Sequence, residues 1–167
     1  AELNANLGAI LQREKKYDAA LTYYKAAEAL NPASVTTRLN LGTLYQQKKD
    51  FNSALSAYNS VIALYPNHLE ANLYRAQALV DLGEKDEALK AFKKVLSIDP
   101  TSVVAKREMF DLLKDTMTPE QMIKSFSDDA QVDKSSVSAM YDYAKELHND
   151  KKYDEAIACY KEVLKYD

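Results

Sequence analysis

Glycine, proline, cysteine and histidine are all scarce in this chain of 167 residues, and each shortage removes a class of answers. Three glycines and four prolines leave little material for tight turns. No Asn-Gly or Asp-Gly pair occurs, and no sustained period-2 stretch marks a strand. The single Cys159 rules out an internal disulfide and any zinc site built on a cysteine pair, and it leaves the compartment open. His68 and His148 stand at no metal-ligand spacing with each other or with the cysteine. No glycine-rich phosphate loop, Gly-x-Ser-x-Gly elbow or His-Glu-x-x-His run is present, so no cofactor, no metal site and no catalytic centre are expected.

Charge of one sign is missing too. The 25 acidic and 22 basic residues are interspersed and leave a net charge of −3, so no broad positive field exists for a nucleic-acid backbone. Residues 51–69 carry no formal charge, yet Asn52, Asn59, Pro66 and Asn67 make a bilayer span costly. Ala1 to Leu11 lacks a basic stretch followed by an apolar core, so no secretory signal is read there. A soluble chain is expected, with the cytoplasm favoured and no direct membrane insertion. Its two ends fall inside what reads as helix, as expected of a piece of a longer protein.

What is plentiful is helix-forming: Ala, Leu, Lys, Glu and Gln dominate, and 47% of residues are hydrophobic against 28% charged. Sliding the sequence on itself by the interval from Pro32 to Pro66 organises it. The same interval separates Pro66 from Pro100. Five positions before each proline stand Ala27, Val61 and Val95; eight before, the rings Tyr24, Tyr58 and Phe92; twelve before, Ala20, Ala54 and Ala88. A Leu-Gly pair appears at Leu7-Gly8 and Leu41-Gly42 and becomes Arg75-Ala76 in the third unit. The same step reaches Phe126 and Tyr160 at the ring position and Met122 and Ala156 at the alanine position, so the register runs through five units without insertion.

Physically, small residues at positions 8, 20 and 27 of each unit let two antiparallel helices cross closely. The ring at position 24 then fills the gap to the neighbouring hairpin. Asn31-Pro32, Tyr65-Pro66 and Asp99-Pro100 end the second helices, because the residue before proline is pushed out of the helical region. Polar turns at 14–18, 48–52, 83–86 and 149–154 separate the helices within hairpins. One hairpin cannot bury its own apolar face, so stability comes from stacking.

This pattern resembles the tetratricopeptide repeat, a degenerate helix–turn–helix of about 34 residues. The resemblance covers the whole chain and implies an all-α, right-handed solenoid of about five antiparallel helical hairpins. The repeats are about 1–34, 35–68, 69–102, 103–136 and 137–167, in a single domain. The fourth unit is irregular. Phe110, Met122 and Asp129 stand where the others have small or apolar residues, and Lys134 replaces proline. Helices are expected near 102–115 and 119–130, the second opened by Thr118-Pro119-Glu120-Gln121, with a loop from Gln131 to Ser135.

Several residues invite chemistry and have plainer readings. His68 reads as a solvated turn residue and His148 as a groove-side position. Cys159 reads as a packed thiol, with no histidine nearby in sequence to activate it. Of the twelve tyrosines, Tyr17, Tyr24, Tyr45, Tyr58, Tyr143, Tyr153, Tyr160 and Tyr166 occupy repeat packing positions. Tyr23, Tyr65, Tyr74 and Tyr141 are left for other roles.

In the family this chain resembles, the first helices line a concave groove that contacts ligands at positions 2, 5, 6, 9, 12 and 13. That resemblance implies a peptide-binding or protein-binding surface including Asn6, Asn40, Thr43, Gln47, Tyr74, Gln77, Arg107 and Tyr141. Amides and hydroxyls dominate its first half, and they pair with an extended backbone without demanding side-chain charge. The co-chaperone members clamp acidic tails with Lys, Asn and Arg; here those positions hold Ala5, Ala9, Asn40, Glu70 and Tyr74, and only Asn40 fits. The expected function is a non-catalytic adaptor or scaffold. The alternatives are the substrate-recruiting arm of a larger enzyme, such as a glycosyltransferase, or a module that self-associates end to end through Ile157, Tyr160 and Leu164 of the last helix.

Overall fold

The structure is a computed structural model that describes residues 1–125 and 134–166. Among these residues every regular element is an α-helix: α1 (Glu2–Arg13), α2 (Tyr17–Leu30), α3 (Val35–Gln47), α4 (Phe51–Leu64), α5 (Leu69–Leu82), α6 (Lys85–Ile98), α7 (Val103–Leu113), α8 (Pro119–Lys124), α9 (Lys134–Asn149) and α10 (Tyr153–Val163). The second helices begin at Tyr17, Phe51, Lys85, Pro119 and Tyr153, evenly spaced at the interval of the prolines. The architecture is an α-solenoid of helical repeats. It divides into two compact units, Ala1–Ala91 and Phe92–Asp167, with the division inside α6.

The punctuation between helices recurs at the same interval. At position 34 a side chain caps the next first helix: Ser34 Oγ accepts from the Thr37 amide at 3.2 Å, His68 Nδ1 from Ala71 at 3.3 Å, and Ser102 Oγ from Ala105 at 3.4 Å. His68 is therefore a helix cap and not simply a solvated turn residue. At position 15 the chain turns through the left-handed region, with φ of 61° at Lys15, 61° at Lys49, 87° at Gly83 and 62° at Lys151. Only one of those four positions carries the residue that adopts this conformation without steric cost.

In the first unit, α2 lays Ala20 and Tyr24 against Leu41 and Leu44 of α3, with Leu11 and Tyr17 around them. One repeat on, Leu39, Ala54, Tyr58 and Val61 pack with Ala71 and Ala78 of α5. Each ring thus bridges its own hairpin and the next helix, as the spacing predicts, and Tyr24 and Tyr58 are 1% and 0% exposed. Tyr24 and Tyr58 lean so far into their hairpins that Gly8 and Gly42 have no room for a side chain. A Cβ on Gly8 would lie 2.7 Å from Tyr24 Cδ1.

The second unit is built around Phe110, Met122, Ile123, Met140, Tyr143 and Leu147, with Ala156 and Cys159 from α10. Phe110 and Met122 are both buried, so the fourth repeat accommodates large groups where its siblings have small ones. α7 packs on α9, and α8 divides its contacts between α9 and α10. Three expectations for this region need correction. α7 ends at Leu113 instead of near residue 115, α8 stops at Lys124, and Lys134 and Ser135 belong to α9 instead of a loop. Proline starts the inter-repeat turn elsewhere, but Lys134 holds that position here, so nothing stops α9 from extending back to it. Phe126, Asp129 and residues 131–133 lie outside the described residues. Tyr153 and Tyr166, at packing positions by the repeat pattern, are instead 54% and 37% exposed.

Candidate functional site

The first helices of the first unit, α1, α3 and α5, lie side by side, and the groove they form holds a cavity of about 370 Å³. Its wall includes Ala9, Gln12 and Arg13 from α1, Thr36, Asn40, Thr43 and Gln47 from α3, and Glu70 and Tyr74 from α5, with Tyr24 of α2 behind them. The helical period puts positions 2, 5, 6, 9, 12 and 13 on one face. Four of the eight residues chosen from sequence, Asn40, Thr43, Gln47 and Tyr74, meet at this cavity. Asn6 is an exposed residue of α1 outside its wall, and Gln77 is half-buried on α5 and also outside it.

Hydrogen bonds sort the wall into structural and available groups. Gln12 is the hub: its Oε1 accepts from the Tyr24 hydroxyl at 2.8 Å, and its Nε2 donates to Thr43 Oγ1 at 3.2 Å and to Gln47 Oε1 at 3.0 Å. Thr43 in turn donates to the Asn40 carbonyl at 3.0 Å. One repeat later Tyr58 donates to Gln46 Oε1 at 2.6 Å, and Gln46 Nε2 donates to Asp81 Oδ2 at 2.8 Å. The resemblance places Gln12 and Gln46, at position 12, on the ligand side with Thr43 and Gln47, and it does not foresee their bonds to the rings of position 24. The signal was there: glutamine at position 12 accompanies tyrosine at position 24 in the first two units, whereas Val80 accompanies Phe92 in the third.

Asn40 is different. It is half-buried at the cavity wall, and among the described residues its side-chain amide makes no hydrogen bond to protein, so both its donor and its acceptor face the groove. At one end the Tyr74 hydroxyl donates to Glu70 Oε1 at 2.8 Å. Burial raises the Tyr74 phenol, and the hydrogen bond and charge of Glu70 raise it further. Burial raises Tyr24 as well, against the opposing charge of Arg13. Both phenols stay neutral donors at physiological pH. Glu70 is the carboxylate of the lining and Arg13 its cation.

The remaining two candidates lie in the second unit and are not equivalent. Arg107 is held by Glu108 at 3.1 Å and Glu146 at 3.2 Å, so its charge is already matched. Tyr141 is 47% exposed, its ring 6.0 Å from Tyr160 with Lys145 Nζ 5.4 Å above it. His148 is exposed and meets the rings of Tyr153 and Tyr160 edge-on. Cys159 is buried, and burial followed by the Glu155 charge pushes its thiol up to about 11. A thiol so placed is protonated and unreactive at neutral pH. Among the described residues no three His, Cys, Asp or Glu side chains converge as they would around a metal ion, and no helix is long and apolar enough to cross a membrane.

Comparison with known proteins agrees with this geometry. Three family models, each described as tetratricopeptide repeat, match residues 1–67, 39–103 and 137–167. The chain belongs to the tetratricopeptide repeat family. Among curated proteins none matches it in sequence. Solved structures do. The MamA protein superimposes with a TM-score of 0.70 at 18% identity, covering 98% of this chain and 90% of that one. TTC0263, a thermophilic repeat protein of Thermus thermophilus, gives 0.66 at 20% identity with the same coverage of both chains. The first repeat domain of Spaghetti (RPAP3), bound to the HSP90 peptide SRMEEVD, gives 0.63 at 25% identity, covering 68% of this chain and 90% of that one.

Proposed function

We propose that this chain is a protein-interaction scaffold that holds an extended peptide segment in the groove of α1, α3 and α5. The observation that carries this is Asn40: a half-buried amide for whose side chain no protein hydrogen bond is found among the described residues, in a cavity where Gln12, Tyr24, Thr43 and Gln47 are tied to one another. Such an amide can donate to and accept from one peptide unit, while Gln12, Thr43 and Gln47 form a fixed floor beneath it. The similarity to a repeat domain solved with a bound peptide supports the same use of the fold.

The chemistry of the wall argues for a different guest from that peptide. Glu70 and Tyr74 occupy positions where an acidic tail needs cations, and a carboxylate placed beside Glu70 meets like charge. The proposed ligand is therefore a segment with uncharged side chains along Asn40 and no acidic terminus. Asn6 and Gln77, outside the cavity wall, are secondary contacts in this proposal.

Selection from a random peptide display library on the immobilised chain tests the proposal. Selected peptides should lose about tenfold or more in affinity on the Asn40→Ala, Tyr74→Ala variant, since about 1.4 kcal/mol corresponds to tenfold. Peptides that bind that variant undiminished, or a selected pool dominated by acidic C-termini, would refute it.

A further inference from the structure

Three repeats apart, the same seam between neighbouring hairpins is lined in opposite ways. In the first unit it holds a cavity of about 280 Å³ whose lining includes Leu41, Tyr45, Ser53 and Ala57, with Ser56 and Ser60 beside them. Its base is Leu41, 3% exposed, and serine hydroxyls stand around it. At the same repeat positions the second unit has Tyr143, Leu147, Glu155 and Cys159, which line a cavity of about 120 Å³ between the fourth and fifth hairpins. Met117 and two residues of α8, Pro119 and Met122, complete its wall. The capping box of Thr118 and Gln121 fixes the start of α8 that carries them. Here the hydroxyl is at the base and the wall is apolar.

Tyr143 is 3% exposed, and its ring is held 6.1 Å from that of Phe110. Its hydroxyl is buried without a hydrogen-bond partner among the described residues, a state that folded proteins rarely leave uncompensated. Burial raises this phenol first, followed by Asp111, Cys159, Glu155 and Asp115. Cys159 and Glu155 line the cavity, so the hydroxyl faces into it. Water suits the base poorly: it needs roughly 2–4 polar partners, and the group beside the hydroxyl is a thiol, a weak donor and acceptor. The space itself approaches the ~150 Å³ in which an apolar cavity takes up benzene. At the mouth Lys114 pairs with Asp111 at 3.1 Å, and Asp115 and Glu155 act on the same ammonium. Three carboxylates against one cation disfavour an anion, and so charged a rim is unlike the core of a protein interface.

We propose that this cavity binds a small uncharged molecule, no larger than a single ring, that is apolar except for one oxygen accepting from the Tyr143 hydroxyl. Met117, Pro119, Met122 and Leu147 supply the apolar contact, and the phenol fixes the orientation. Such an occupant braces the short α8 against α9 and α10, the helices on which it packs.

The chain has four methionines, and Met117 and Met122 line this cavity while Met109 does not, so NMR of methyl-labelled methionine in the whole chain tests the proposal. Cyclopentanol should shift the Met117 and Met122 methyls saturably and leave Met109 unmoved. Tyr143→Phe should weaken cyclopentanol by about three- to tenfold, the scale of one hydrogen bond. The same variant should leave methylcyclopentane, a ring of similar size without the oxygen, unchanged. Cyclopentanecarboxylate should bind about tenfold more weakly than cyclopentanol. Without ligand, Tyr143→Phe should be as stable as the parent or more so in urea, because it removes a buried hydroxyl that has no partner. Absence of a saturable shift at Met117 and Met122 overturns the proposal, as does carboxylate binding equal to that of the alcohol. Cyclopentanol binding that Tyr143→Phe leaves intact, or a variant destabilised without ligand, overturns the role given to the hydroxyl.

Discussion

Replacing Gly42 by alanine adds one methyl group to the middle of α3, where propensity alone predicts a gain of about 1 kcal/mol. The structure predicts a loss. An ideal Cβ at this position would stand 2.6 Å from Tyr58 Cζ and 2.8 Å from Cδ1, with Cε1 nearer still. The ring has little room to retreat: Tyr58 is 0% exposed, its hydroxyl is tied to Gln46, and it lies 5.7 Å from the Tyr74 ring. Overpacking a rigid site costs about 1–3 kcal/mol, and three ring atoms inside contact distance place Gly42 toward the top of that range. The net expectation is a destabilisation of about 1–2 kcal/mol. Gly8→Ala, whose Cβ would meet Tyr24 at 2.7, 2.8 and 3.1 Å, should cost less. Native-state hydrogen exchange on α3 and α4 amides reads the effect locally, which suits a repeat array better than one global midpoint. Tyr58→Phe releases the ring from Gln46 at about 1 kcal/mol by itself. The double variant should then be less damaged than the sum by about 0.5 kcal/mol or more. A neutral or stabilising Gly42→Ala, or strict additivity, would show that the ring moves aside freely and that the close crossing does not require glycine.

Three more expectations come from the same structure. Lys49→Gly should stabilise the second hairpin by about 0.5–1 kcal/mol by relieving a left-handed lysine, and Gly83→Ala, with nothing within 4 Å of its Cβ, should cost about 1 kcal/mol through the backbone alone; urea midpoints measure both. Gln46→Ala should cost about 1–3 kcal/mol, because it strands the buried Tyr58 hydroxyl and releases Asp81, and exchange protection should fall in α4 and α5 together. Stability of the second unit should be flat from neutral pH to about 9 and decline toward pH 11. The folded Cys159 thiol keeps its proton up to about 11 against an ordinary value of 9.0, so the unfolded chain ionises first and is favoured as pH rises. Burial raises Tyr143 in the same direction, so Cys159→Ala should reduce the alkaline slope without abolishing it. An unchanged slope in that variant contradicts the burial argument.

Where a rule acts on residues close in sequence, it can be read without coordinates. Pro32, Pro66 and Pro100 act on their own neighbours, and the second helices start once per repeat, as the polar turns imply. The start of α9 departs from expectation for a reason of the same kind. Analogy with the prolines places Lys134 in a loop, although its backbone carries the N–H that lets a helix begin there. Tyr153 and Tyr166 escape the repeat pattern because position in the repeat says which face a ring is on, and not whether a following helix covers that face. Tyr17, the counterpart of Tyr153, is partly buried against the cluster that includes Leu41 and Leu44 of α3.

The groove divides in the same way. Its location follows from helical period and repeat length, so Asn40, Thr43, Gln47 and Tyr74 emerge as neighbours from the residues and the family resemblance. Which of them remain available to a guest is decided by bonds such as Gln12 to Thr43 and Gln47, between side chains on separate helices. Those bonds depend on how closely adjacent first helices approach and on which rotamers that spacing permits. Repeat register, helix ends and the alternation of ring and small residue are local or periodic properties, and the sequence by itself determined them. The allocation of each amide to floor or ligand depends on distances between side chains on different helices, and only the tertiary structure decided it.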